Sequence, residues 1–127
     1  MKSLKSIFLL SMLLFCGAGC SDESTVDEWY GCDMYSFAGD AFDWIRVRNY
    51  LSEQGLIQQF ELTGKSESEL DKKAIERYEQ YVKKIDENAI KALITKDFSL
   101  TYGLRKASSG EDAPLLREKT FDLKASN

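Results

Sequence analysis

Three aspartates, Asp33, Asp40 and Asp43, fall among six aromatic residues running from Trp29 to Trp44, and Cys32 stands beside the first of them. Two carboxylates facing each other across a cleft are enough for glycoside hydrolysis, and an aromatic lining suits a sugar. A thiolate nucleophile is the other chemistry these residue types offer. It needs a nearby cation to lower its pKa, and no Lys, Arg or His lies within ten residues of Cys32 in sequence. The chain contains no histidine. That removes the commonest general base, the Ser-His and Cys-His nucleophile pairs and most zinc sites. Neither a P-loop nor a dinucleotide glycine fingerprint occurs. A chain of 127 residues seldom frames an enclosed cleft, Asp40 reads as a helix cap, and Asp33 and Asp43 read as solvated. The expectation is a protein without catalytic residues, metal or cofactor.

The aromatic residues themselves are Trp29, Tyr30, Tyr35, Phe37, Phe42 and Trp44. Packing under a helix or along a sheet edge accounts for most such clusters. Six of them beside an acidic stretch exceed what a small core obviously requires, and Trp and Tyr dominate binding hot spots. Trp29, Tyr30, Tyr35 and Trp44 are therefore the candidate partner-binding residues.

The elements that position them are partly readable. Asp40 can cap a helix whose apolar face is Ala41, Trp44, Ile45 and Leu51, with Gly55 to stop it. Leu56 to Thr63 reads as a strand with Leu56, Phe60 and Leu62 on one face. Ser66 and Glu69 form a capping box that opens a long helix through about Ile94, striped by Leu70, Ala74, Tyr78, Tyr81, Val82, Ile85, Ala89 and Leu93. Phe98, Leu100, Tyr102 and Leu104 alternate as a half-buried strand. After the polar loop Ser108–Asp112, the residues Leu115, Phe121 and Leu123 suggest its returning partner. The order helix, strand, long helix, strand, strand predicts an α+β domain, with two helices on one face of a three-stranded, mostly antiparallel sheet.

The first residues read as an address. Lys2 and Lys5 precede an apolar run from Ile7 to Phe15, too short to cross a bilayer but suited to a signal peptide. Gly17-Ala18-Gly19-Cys20 then resembles the cleavage site of bacterial lipoproteins, in which small residues precede a cysteine that is lipidated and becomes the new N-terminus. Gly17 departs from the leucine usual there. The resemblance covers only these twenty residues. It implies a signal peptide over 1–19 and a lipid on Cys20. Composition then reads as an acidic tether over 20–28, with Asp22, Glu23, Asp27 and Glu28 and no basic residue, and one domain over 29–127. An ordinary signal peptide cleaved near Ala18 or Gly19 is the alternative. Ser21, where an Asp would imply retention at the inner membrane, points to the outer membrane facing the periplasm in a cell that has one.

Removing Lys2 and Lys5 with the leader takes the net charge from −4 to about −6. Nucleic acid is an unsuitable partner for so acidic a chain, because phosphate neutralisation needs clustered basic residues. The sequence therefore predicts a non-catalytic interaction module on the cell envelope, held to the membrane through Cys20 and docking an envelope protein. A periplasmic immunity protein against a secreted toxin, for which acidity steers binding to a basic enzyme, and a small-ligand or glycan binder remain open beside it.

Overall fold

The computed structural model describes residues 24–110 and 113–125. The leader, Cys20 and its lipidation lie outside the described residues, as do Glu111 and Asp112 of the polar loop. The chain is an α+β domain built on an open, four-stranded antiparallel sheet. Its elements are β1 (Val26–Ala38), α1 (Ala41–Glu53), β2 (Gln58–Gly64), α2 (Glu67–Lys84), α3 (Glu87–Lys91), β3 (Phe98–Lys106) and β4 (Arg117–Leu123). The strands lie in the order β2-β1-β3-β4.

The expected three-stranded sheet thus gains a strand, and β1 is the longest of the four. Its first three residues, Val26 to Glu28, were expected in the tether; they pair instead with Gly64 to Leu62 of β2. Along β1, Tyr30, Cys32 and Met34 point into the core while Trp29, Asp33 and Tyr35 do not, the period of two that a half-buried strand demands. Pairing with β3 runs Met34 to Tyr102, then Ser36 to Thr101, so Tyr35 is an extra residue in a β-bulge. Such a bulge resets the phase of the strand beyond it, and Phe37 comes to lie opposite Leu100 on the core side.

Gly39, with φ of 148°, turns the chain into α1, and a Cβ there would come within 2.6 Å of the Phe98 ring. Asp40 caps α1 as expected, accepting from the N–H groups of Phe42 and Asp43. The buried face of α1 is Asp43, Val47 and Leu51, with Ile45 and Phe42 turned outward. This corrects the face expected from Ala41, Trp44, Ile45 and Leu51. A carboxylate looked like a surface residue, yet Asp43 is wholly buried because it ties α1 to the segment before β3.

Ser66 caps α2 by accepting from the Glu69 N–H, and Glu69 reaches back to the N–H of Lys65. The long helix expected through Ile94 ends at Lys84. Ile85 is extended, and Asp86 begins α3 by accepting from the N–H groups of Asn88 and Ala89. A short polar side chain that satisfies two orphan donors competes with continuation of the helix.

Buried side chains of all three helices, among them Val47, Leu51, Leu70, Ala74, Tyr78 and Ile90, share one core with Tyr30, Cys32, Phe60, Leu100, Tyr102, Leu104 and Phe121 from the sheet. Tyrosine hydroxyls stitch the layers together. Tyr30 donates to Asp71 at 2.6 Å, Tyr78 to the carbonyl of Tyr102 at 2.9 Å, and Tyr102 to the carbonyl of Leu56 at 2.6 Å. The opposite face of the sheet, carrying Trp29, Gln59, Glu61, Thr63, Glu118, Thr120 and Asp122, is exposed.

Candidate functional site

The four aromatic residues singled out from the sequence part company in the structure. Tyr30 is fully buried in the core, so it presents nothing to a partner. Its hydroxyl pKa is raised by burial first and by the hydrogen bond to Asp71 second. Trp44 stacks on Phe37 at 5.5 Å, and Phe37 on Phe98 at 5.8 Å. Together with Phe42 and Ile45, which are exposed on α1, they form an apolar corner. Phe37 is eight positions along β1 from Trp29, roughly 25 Å away at the rise of a strand. Only Trp29 and Tyr35 share a surface, the exposed face of the sheet.

On that face two glycines set the floor: Gly31 lines a groove, while Leu115 and Tyr35 close over Gly103. Gly31 of β1 pairs with Gln59 of β2 on one side and Arg105 of β3 on the other. Gly103 pairs with Asp33. The Tyr35 side chain folds back across this floor: its hydroxyl donates to the carbonyl of Gly31 at 3.1 Å, and its ring would lie 3.2 Å from a Cβ at Gly103. The Arg105 guanidinium then stacks over the Tyr35 ring, 4.6 Å from its centre.

Arg105 is the unusual member. Its Nε is buried and has no hydrogen-bond partner. A buried donor left unpaired costs about 1–3 kcal/mol, more when it is charged, and native structures seldom tolerate one without a reason. Asp43 marks the contrast, being wholly buried but fully served. It accepts from the N–H groups of Thr95 at 3.0 Å and Lys96 at 3.2 Å, from the Thr95 hydroxyl and from Arg46. Burial alone would raise its carboxyl pKa; the Thr95 amide, Arg46, the Lys96 amide and the Thr95 hydroxyl outweigh that and hold it low.

A shallow groove lies beside Arg105 in two adjoining lobes. One, of about 240 Å³, is lined by Gly31, Asp33, Tyr35, Gln59, Arg105 and the turn at Ala107. The other, of about 280 Å³, extends over Arg48, Ile57 and Gln58. It opens because β2 begins at Gln58, opposite Cys32. From Asp33 onward β1 is paired only with β3, and Arg48 of α1 reaches into the notch to donate to Asp33 at 2.7 Å. Asp33 also accepts from the Met34 N–H.

Asp33, Asp40 and Asp43 therefore do not form a carboxylate pair: one is bound to Arg48, one caps α1, and one is buried behind it. The Cys32 thiol is free and buried, with its pKa pushed up to about 11 chiefly by that burial, which leaves no thiolate near neutral pH. Among the described residues no group of three or more Cys, Asp or Glu side chains is placed to hold a metal ion.

No protein-family model, curated protein or solved structure matches the chain. Its function has to be argued from this geometry.

Proposed function

We propose that the protein is a non-catalytic binding module of the bacterial cell envelope, anchored through lipid on Cys20, and that it docks an envelope protein on the exposed face of its sheet. The observation that carries the reading is the unpaired Arg105 Nε on a face that also exposes Trp29. The domain satisfies its other buried side-chain polar atoms among the described residues, and leaves this one donor unpaired in a side chain that lines an open groove. Trp29 is 48% exposed, and Trp and Arg are the side chains that most often anchor interfaces.

The anchor fits the same surface. Five residues separate Cys20 from Val26, where β1 begins. They span at most about 18 Å, so Trp29 stands at the end of the domain nearer the membrane and the Phe37–Trp44 corner at the end farther from it. Two or three acyl chains hold such a protein stably where one would not. A membrane-proximal binding face suits a partner that is itself embedded in the membrane or lies against it.

Affinity capture of the full chain from envelope extract separates the two aromatic surfaces. Trp29→Ala abolishes recovery of the partner and Trp44→Ala leaves it intact; the reverse pattern refutes the choice of face. Cys20→Ser tests the anchor independently, and is expected to end labelling by a fatty-acid analogue and to release the chain from membranes. Continued labelling of that variant would assign the anchor elsewhere.

A further inference from the structure

We infer that the groove beside Arg105 is a receptor for a carboxylate carried by a peptide. The inference rests on the sheet face being the binding face, and adds what that face recognises.

The donor geometry selects the class of ligand. An arginine presents a planar fork of N–H groups that matches a planar, two-oxygen anion. The Tyr35 ring holds the Arg105 guanidinium from one side, so its orientation is set before a ligand arrives. Gly31, at the neighbouring position on β1, places no side chain between the guanidinium and the groove. The Nε–H is already stripped of water and has no internal acceptor. An oxyanion that engages the guanidinium where it lines the groove, and shifts it enough to take up Nε–H as well, would pair a donor whose desolvation cost is already met.

The charge of the groove chooses among oxyanions. Arg48 is neutralised by Asp33 at 2.7 Å, so among the described residues Arg105 leaves the lining with a single net positive charge. A carboxylate balances it, whereas a phosphate dianion brings a second negative charge beside Asp33 that the described lining leaves unbalanced. Gln59 lines both lobes of the groove, and a primary amide both donates to and accepts from peptide groups. Trp29 is two positions from Gly31 on the same face, outside the groove lining, and is an exposed apolar surface beside it.

The test is an NMR titration of the full chain, purified in detergent as the cell processes it, following the Nε–Hε signal of Arg105. Loss of that signal in Arg105→Gln assigns it. Three blocked tripeptides serve as probes: one with a free C-terminal carboxylate, one with a glutamate side chain and an amidated end, and one neutral and amidated. Inorganic phosphate is the fourth. Either charged peptide moves the Arg105 signal, with a dissociation constant on the order of a millimolar, the scale of a small fragment; which of the two binds names the source of the carboxylate. The neutral peptide and phosphate bind at least tenfold more weakly. Arg105→Gln lowers affinity about tenfold or more, as expected when a charge-assisted bond is lost. Gln59→Trp, which fills the groove from the neighbouring strand and touches neither Tyr35 nor Arg105 in sequence, does the same.

Equal binding of the neutral peptide, tighter binding of phosphate, no response to any peptide, or unchanged affinity in Arg105→Gln each overturns the inference. If carboxylates fail while capture of an envelope protein still depends on Trp29, the binding face stands and only its ligand chemistry is wrong.

Discussion

The two faces of β1 put the same chain to opposite uses. On the core side the hydroxyls of Tyr30, Tyr78, Tyr81 and Tyr102 find acceptors in Asp71, the Tyr102 carbonyl, the Gln58 side chain and the Leu56 carbonyl. On the exposed face, two or three residues away, a guanidinium is stacked and half-buried and still lacks a partner for Nε. Aromatic and polar residues serve both, so residue type does not separate structure from function here. Completeness of hydrogen bonding does. A satisfied network rigidifies a fold, whereas an unsatisfied one spends stability for something the fold itself does not need.

The sharpest way to break this comparison is to cut apolar bulk from each face. Leu104→Ala, on the core side of β3 and fully buried, is expected to cost about 2–5 kcal/mol in urea unfolding. Trp29→Ala should stay within about 0.5 kcal/mol of the parent, as surface substitutions do. Comparable losses would mean that the exposed face is a second core. A finer cut is Tyr102→Phe, which leaves the Leu56 carbonyl without its donor and should cost about 1–3 kcal/mol.

Arg105→Gln comes next and should change stability by less than about 1 kcal/mol, because the group it removes was already unpaired. A loss as large as that of Leu104→Ala would make Arg105 structural. The smallest effect is one of slope. Asp43 has its pKa held below the aspartate value of 3.8, with burial opposed by the Thr95 amide, Arg46, the Lys96 amide and the Thr95 hydroxyl. Its contribution is complete above that value and is lost as pH falls through the lower, folded one. Asp97, lowered by the Ala125 amide and Lys124, behaves alike. Stability measured by urea unfolding should fall as pH drops below about 4, and Asp43→Asn should flatten that fall. An unchanged slope would assign the acid limb to other carboxylates.

Much of this architecture was legible in local chemistry. Asp40 and Ser66 carry capping side chains, Gly55 can take the positive φ that follows α1, and Phe98 to Leu104 alternate without interruption. What failed was non-local. β1 alternates only as far as Met34, and its Gly31 and Asp33 are residue types depleted in strands. The bulge at Tyr35 then shifts Phe37 out of phase, so no single period spans the element. Asp86 falls between the apolar positions of the long stripe, where a polar side chain marks a helix surface as readily as the start of a new helix.

Half of the candidate site was visible for the same reasons. Trp29 and Tyr35 were named from their types, while Tyr30 belongs to the core and Trp44 to the far corner. Arg105 was passed over, although it follows the alternation of β3 onto the polar side. Its meaning depends on lying opposite Gly31, 74 positions earlier in the chain, and nothing in the local sequence specifies that register.

The central claim is that a partner meets the exposed sheet face, and photo-crosslinking in living cells tests it most directly. A photoreactive residue would replace Gln59, beside Gly31, in one strain and Lys72, on the solvent side of α2, in another. Crosslinking of one discrete envelope protein from position 59 and not from position 72 is the predicted result. A partner captured from position 72 alone would contradict the account.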